Sequence, residues 1–285
     1  MPVIPSPTVR RKRLGIELRR IREAAGLTCE EVGRRLDCSG TRISRLETGK
    51  IGVRPGDVRE LLDVYGVSGP EADALVQLAR EARRKGWWHT YNRVLPPWFE
   101  AYLGLEGEAT RLRDFQPLVI PGILQTEDYA RAVLRAAPSA GSAGEVDRAV
   151  SLRMERQAIL DRADPPDLWV VLSESVLRVQ ADEPGVMRGQ LRRLADAAER
   201  NHVTLQVLPF HTSAQVQPIS PFTILEFADA ADPVVVYLEH LTGSLFLEEH
   251  DEVQRYTVVF DHLRAESLGV RQSIDLIARL AAELE

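Results

Sequence analysis

The stretch LTCEEVGRRLDCSGTRISRLETG, residues 27–49, leaves the chain few conformational choices. Thr28 followed by Glu31 has the spacing of a capping box, so a helix starts there. Val32 and Leu36, at i and i+4, give that helix one apolar face. Gly33 between them lets the next helix come close. Asp37-Cys38 makes a turn, and the Ser39 hydroxyl accepts a backbone N–H at the start of a second helix. Gly49 supplies the left-handed residue that closes it.

At about 100° per residue, Ile43 and Leu46 share one side of the second helix. Thr41 and Arg45 point the other way, with Arg42 and Ser44 on the flanks. The aliphatic side anchors the helix, and a short donor-rich side is left for something outside. Two such helices make a helix-turn-helix, whose second helix enters the DNA major groove. The alternative is an ordinary helical hairpin with a solvated polar face.

The flanking residues complete a small helical domain. Leu14, Leu18, Ile21 and Ala25 predict an amphipathic first helix ended by Gly26. Pro55 opens a fourth helix with Val58, Leu61, Leu62 and Tyr65 inward, and Gly66 closes it. Pro70 opens a fifth, with Leu75, Leu78 and Ala82 in line. Residues 1–9 contain three prolines and are expected to be loose. The run Arg10, Arg11, Lys12, Arg13 either touches phosphate or is a solvated helix start.

Residues 14–65, above all ELRRIREAAGLTCEEVGRRLDCSGTRISRLETGK, resemble the Cro/phage-repressor (xenobiotic-response-element type) helix-turn-helix family. The resemblance implies that Thr41 and Arg45 contact base edges, with Ser44 beside them as a third base-contact candidate. It places Ser39 and Arg42 on phosphates and makes Arg22 and Glu47 a structural ion pair; Thr28 and the basic run are further phosphate-contact candidates. Gly40 stands where phage repressors often carry a base-reading Gln, which thins the base-contact set. Cys29 likewise replaces a common polar backbone-contacting residue.

The net charge of −6 hides an asymmetry. Residues 1–93 hold 19 Lys and Arg against 12 Asp and Glu, a balance of +7; residues 94–285 hold 17 against 30, a balance of −13. A basic head on an acidic body suits docking of the head on phosphates, unless the split is chance. No apolar run approaches the roughly 20 residues of a membrane span, and Met1 to Arg13 has no apolar signal core, so a cytoplasmic protein without membrane contact is expected. Both cysteines, Cys29 and Cys38, fall inside the motif without metal-ligand spacing. They read as reduced thiols, a redox switch between them being the other possibility.

The expected organisation is a helix-turn-helix domain at 10–85, a linker or hinge at 86–105 and an α+β domain at 106–285 with a mostly antiparallel sheet. Trp87 and Trp88 pack a hinge or stack on a ligand. Helices are expected near 97–105, 127–136, 145–162, 184–200, 250–265 and 270–284. Strands are expected within 109–119 and at 168–172, 203–208, 222–227, 234–238 and 244–247, the last two paired in a meander. Arg153, Glu155, Arg156 and Asp161 read as a solvated, salt-bridged helix face.

No catalytic residue, metal or cofactor is expected. Ser173-Glu174-Ser175 lacks the nucleophile-elbow frame, and His202 and His211 have no partner at ligand spacing. Glu239-His240 lacks the second group that activation needs.

The segments RRKGWWHTYNRVLPPWFEAYLGLE, PLVIPGILQTEDYARAVL, VTLQVLPF and DPVVVYLEHLTGSLFLE resemble an actinobacterial regulator family. Those proteins join a Cro-type head to a C-terminal domain of unknown function, sometimes described as antitoxin-like. The resemblance implies a transcriptional regulator on double-stranded DNA, with a small partner protein encoded beside it. Two-fold DNA recognition implies a homodimer. The C-terminal domain then serves dimerisation and partner binding. Its alternative is a metabolite sensor with Trp87, Trp88, Trp98 and Phe99 near a pocket.

Overall fold

A computed structural model describes residues 7–83, 86–92, 94–137, 141–179, 185–210, 219–229 and 232–284. Two compact units divide the chain, Met1–His89 and Thr90–Glu285. His211 lies outside the described residues, as do Arg84, Lys85 and Arg93.

The first unit is built of α1 (Pro7–Ala24), α2 (Cys29–Arg35), α3 (Gly40–Glu47), α4 (Pro55–Tyr65) and α5 (Pro70–Glu81). Residues 7–9, expected to be loose, are the first turn of α1. Proline is tolerated there because the first helical N–H has no intrahelical acceptor to lose. The helix ends at Ala24, so Ala25 is exposed rather than part of the stripe. Leu14, Leu18 and Ile21 do go inward, into one core with Val32, Ile43, Leu46, Val58, Leu61 and Leu62. Each such side chain contributes roughly 1.5–3 kcal/mol on burial. α5 adds Ala72, Leu75, Val76 and Ala79, while Leu78 is only partly covered.

A 3-10 turn at Trp87–Tyr91 and α6 (Pro97–Glu108) occupy most of the stretch expected as linker. The second unit continues with β1 (Arg111–Gln116), α7 (Glu127–Ala136), α8 (Ala143–Arg156), β2 (Asp167–Ser173), α9 (Glu174–Arg178), α10 (Val186–Ala198) and β3 (Val203–Leu208). Then come β4 (Phe222–Glu226), β5 (Val235–His240), β6 (Gly243–Leu247), α11 (His250–Glu266) and α12 (Val270–Glu283). The six strands form one sheet in the order β3-β2-β1-β4-β5-β6. It is α+β in composition and mixed in direction. Three ladders are antiparallel (β1–β4, β4–β5, β5–β6) and two are parallel (β1–β2, β2–β3). The sheet is mostly antiparallel, as expected, and its two parallel pairs arise from helical crossovers. The mark of a central strand is the continuous apolar run Leu168–Leu172 in β2; β3, VTLQVL, is interrupted by Thr204 and Gln206 although most of it is buried.

One sheet face carries Phe115, Val171, Phe222, Ile224 and Val236 under Phe260 and Leu263 of α11. On the other face Asp114, Thr223, Tyr237 and Phe246 stand opposite one another across β1, β4, β5 and β6. The outer edge of β3 is sealed, since Val207 N donates to Ser273 Oγ and Val207 O accepts from Leu268 N. No described helix is long and apolar enough to cross a membrane.

The helix face read as solvated divides. Glu155 is exposed, whereas the Arg156 side chain turns inward onto Glu106 and Arg153 is half-buried. A mixed-charge helix face that suggests surface salt bridges also fits a helix whose polar residues serve an internal network.

Candidate nucleic-acid interface

Thr28 caps α2: its Oγ accepts from Glu31 N (3.2 Å) and the Glu31 carboxylate accepts from Thr28 N (2.8 Å). Those bonds hold the Glu31 carboxyl below the usual carboxylate range. Asp37 takes φ 50°, the left-handed bend that a short polar side chain tolerates, and ends the turn's approach to α3. A Cβ on Gly33 would lie 2.6 Å from Cys38 O, so only glycine permits this tight return. Ser39 Oγ then accepts from Arg42 N at 3.2 Å.

Within α3, Ile43 and Leu46 are buried while Thr41, Arg42, Ser44 and Arg45 are exposed. The Arg45 guanidinium forms no hydrogen bond or ion pair among the described residues, leaving its planar fork open. Arg42 instead reaches Asp57 in the first turn of α4, 3.4 Å away. Ser39 is exposed at the mouth of the helix, where orphan N–H groups favour an anion.

Behind this face, α3 is locked in place. Arg22 grips Glu47 with two bonds, Nε to Oε1 at 2.7 Å and Nη2 to Oε2 at 2.9 Å, and donates a third from Nη1 to Leu27 O at 2.7 Å. Both side chains are buried, and the Glu47 hydrogen bond holds the guanidinium well above its ordinary range. Cys29 Sγ lies 3.9 Å from Glu47 Oε2; burial first, then that carboxylate, pushes its thiol up. A thiol kept protonated is a poor redox nucleophile. α1 presses just as closely: a Cβ on Gly15 would sit 2.3 Å from Glu47 O. Gly15 falls inside an apolar stripe, and its spacing one residue from Leu14 was the only signal of this contact.

The basic run is not one surface. Arg10 is buried, 6 % exposed, and faces Glu81 of α5 at 3.6 Å. This removes Arg10 from the phosphate contacts. The reason is periodic: Arg10 lies four residues before Leu14 and continues the stripe through Leu18. Arg13 is exposed, and Arg11 and Lys12 are half-buried. Lys12 Cα lies 3.3 Å from the place a Gly49 Cβ would take, so the run borders the C-terminal end of α3, where cations suit the helix dipole. Thr28 is exposed, but its hydroxyl also contacts Glu31 Oε2 (2.8 Å), and that carboxylate disfavours a phosphate there. Gly40 packs on α2, where a Cβ would lie 3.0 Å from Glu30 N.

Of the residues weighed for catalysis, Ser173, Glu174 and Ser175 have local structural partners, whereas His202 Nε2 is buried without a hydrogen bond among the described residues. Ser173 Oγ caps α9 and contacts Ser175 Oγ, which donates to Pro117 O. Glu174 accepts from Arg178 and from Phe210 N. His240 is exposed at the end of β5, with β4 and β1 between it and β2. Among the described residues no three His, Cys, Asp or Glu side chains gather as a metal site.

A capped two-helix turn with a buried back and an open cationic front defines the first unit as a helix-turn-helix domain. Residues 13–75 match the family model described as "Helix-turn-helix domain", which supports a DNA-binding regulator. Residues 99–279 match the model described as "Domain of unknown function (DUF5753)", and the chain belongs to that family. No curated protein matches the chain, and no solved structure matches it.

Proposed function

We propose that the protein is a sequence-specific transcriptional regulator of the Cro-repressor type that reads operator DNA with the outer face of α3. The observation that carries this reading is Arg45, exposed and unpaired among the described residues on a helix whose opposite side is buried. Its guanidinium matches O6 and N7 of guanine, and Thr41 beside it suits a base edge or thymine methyl, with Ser44 in reach of the same groove. Ser39, Arg42, Arg11, Lys12 and Arg13 position the head on phosphates. Arg42 exchanges Asp57 for a phosphate when it does so. A two-fold dimer places half-sites about one helical turn apart, or a multiple of it. The second unit serves the dimer and a small, antitoxin-system-like partner protein, a reading supported by its sequence resemblance.

The test is capture of genomic fragments by the full chain, followed by sequencing. The expected result is a short motif with two-fold symmetry. Arg45→Ala should lose enrichment at that motif while keeping weak binding to random DNA. Equal losses on motif and random DNA would overturn the assignment.

A further inference from the structure

Arg153 and Arg156, one turn apart on α8, have different partners. Arg156 is matched: Nε and Nη2 reach the two Glu106 oxygens at 2.5 Å each, and the guanidinium lies over the Phe99 and Tyr102 rings at 5.4 and 5.1 Å. Arg153 makes one hydrogen bond, from Nη1 to Gln125 Oε1 at 2.6 Å, and pairs with no carboxylate among the described residues. It is enclosed by protein on most sides yet still touched by solvent. Burial pulls its guanidinium down to about 10, Arg156 adding to the effect and Glu239 opposing it.

The surroundings bring further polar groups close to the two arginines. Gly122 lies over the two arginines; a Cβ there would stand 3.2 Å from Arg156 Nη1 and 4.0 Å from Arg153 Cδ. The Tyr237 hydroxyl, on a residue 4 % exposed, lies within reach of Glu239 and of the Ser244 hydroxyl, but neither hydroxyl completes a hydrogen bond of good geometry. Tyr237 stands 4.2 Å, ring to ring, from Tyr102. The turn bearing Gly122 and Gln125 is fixed by side chains. Gln157 Nε2 donates to Gly122 O (3.0 Å) and Gln125 O (2.7 Å), and Gln190 Nε2 donates to Leu124 O (2.8 Å). Gln125 Nε2 donates back to Ile120 O at 2.7 Å. This turn follows the C-terminal end of β1, the end level with Glu239 and Ser244 in the sheet register.

We infer that the second unit holds an anion-binding site in which Arg153, with Tyr237 and Ser244 as neutral donors, takes a small molecule bearing a carboxylate or phosphate group. Arg153 supplies the charge-assisted bonds that the protein itself leaves open. Glu239, exposed at the rim, is the internal acid that an incoming anion works against. Arg156 keeps Glu106 throughout and adds a second positive field. The inference rests on the second unit alone, so failure of operator recognition leaves it standing.

The test titrates the full chain with sodium phosphate, acetate and benzoate separately, at ionic strength held constant with sodium chloride, and follows the unfolding midpoint. A saturable rise with phosphate alone assigns a phosphorylated ligand; a rise with acetate or benzoate assigns a carboxylate. Arg153→Gln should weaken the response by about tenfold or more, the loss of a charged hydrogen bond, and should not lower the anion-free midpoint. Glu239→Gln, at an exposed position, should tighten the response about threefold. The absence of a saturable rise with all three anions overturns the site. A rise that Arg153→Gln leaves intact does so too, as does an unchanged or weaker response in Glu239→Gln.

Discussion

Two helices carry an arginine pair at the same spacing and put it to opposite use. On α3, Arg42 and Arg45 are exposed, above buried Ile43 and Leu46. On α8, the Arg156 side chain is 11 % exposed and Arg153 is half-buried, both facing the unit's interior. Each pair has one member matched by an acid, Arg42 by Asp57 and Arg156 by Glu106, and one member that is not. Solvent separates the two cases. A guanidinium in water is costless and waits for a partner; an enclosed one must have a partner within the fold or from outside.

The largest effect that would break this contrast lies at Glu106. Glu106→Gln leaves Arg156 enclosed without its acid and should destabilise the protein by about 3–5 kcal/mol, read from denaturant midpoints. A cost below about 1 kcal/mol would place that pair in the same solvent-screened class as Arg42–Asp57.

Asp114 comes next. It accepts from Gln116 Nε2 and Thr223 Oγ1, with Arg156 and Glu106 as its charged neighbours. Burial raises its carboxyl from 3.8 to about 6. A raised acid binds its proton more tightly when folded, so its contribution favours the fold at low pH and is lost as pH climbs from about 4 through about 6. Asp114→Asn keeps an acceptor and removes the ionisation. Above that window it should gain on the order of 2–3 kcal/mol, at about 1.4 kcal/mol per pKa unit, and flatten the stability–pH curve across it. An unchanged curve would show that the ionised group is stabilised where it lies.

Smaller effects are expected on α3, and they should separate recognition from stability. Arg45→Ala should cost about 1–3 kcal/mol in operator binding, measured by fluorescence anisotropy, and relax preference at one base pair. Its unfolding midpoint should move by less than about 0.5 kcal/mol, since the residue is exposed and unpaired. Arg42→Ala gives up the exposed pair with Asp57, worth at most about 1 kcal/mol of stability, and should weaken all DNA alike and lower the salt slope by about one. A base-specific loss for Arg42→Ala would exchange the roles of the two residues.

Much of the first unit is legible because its signals are local. Thr28 with Glu31, the Asp37 bend, Ser39 and Gly49 each act within a few residues, and caps and turns depend on little else. The outward face of α3 is legible for the same reason, since period and composition agree over one helix. Arg10 shows the limit. The stripe through Leu14 extends to it, but its acid sits on α5, far along the chain. In the second unit the element bounds, α7 and β3 among them, and the mostly antiparallel sheet are legible, but not which two ladders run parallel. Short apolar runs pair in either sense; which neighbour each one meets depends on where the intervening helices pack. Arg153 and Arg156 carry the same ambiguity, because a mixed polar helix face looks alike whether it meets water or a buried carboxylate.

The sequence by itself determined the helix-turn-helix, its capped ends and the side of α3 that looks outward, since helix period and hydrogen-bonding side chains act over short range. Only the tertiary structure decided that Arg10 is internal, that β1 to β3 run parallel, and that Arg153 is enclosed without an acid among the described residues. Those outcomes depend on partners distant in sequence, and the free energy of a charge is set by what surrounds it in space.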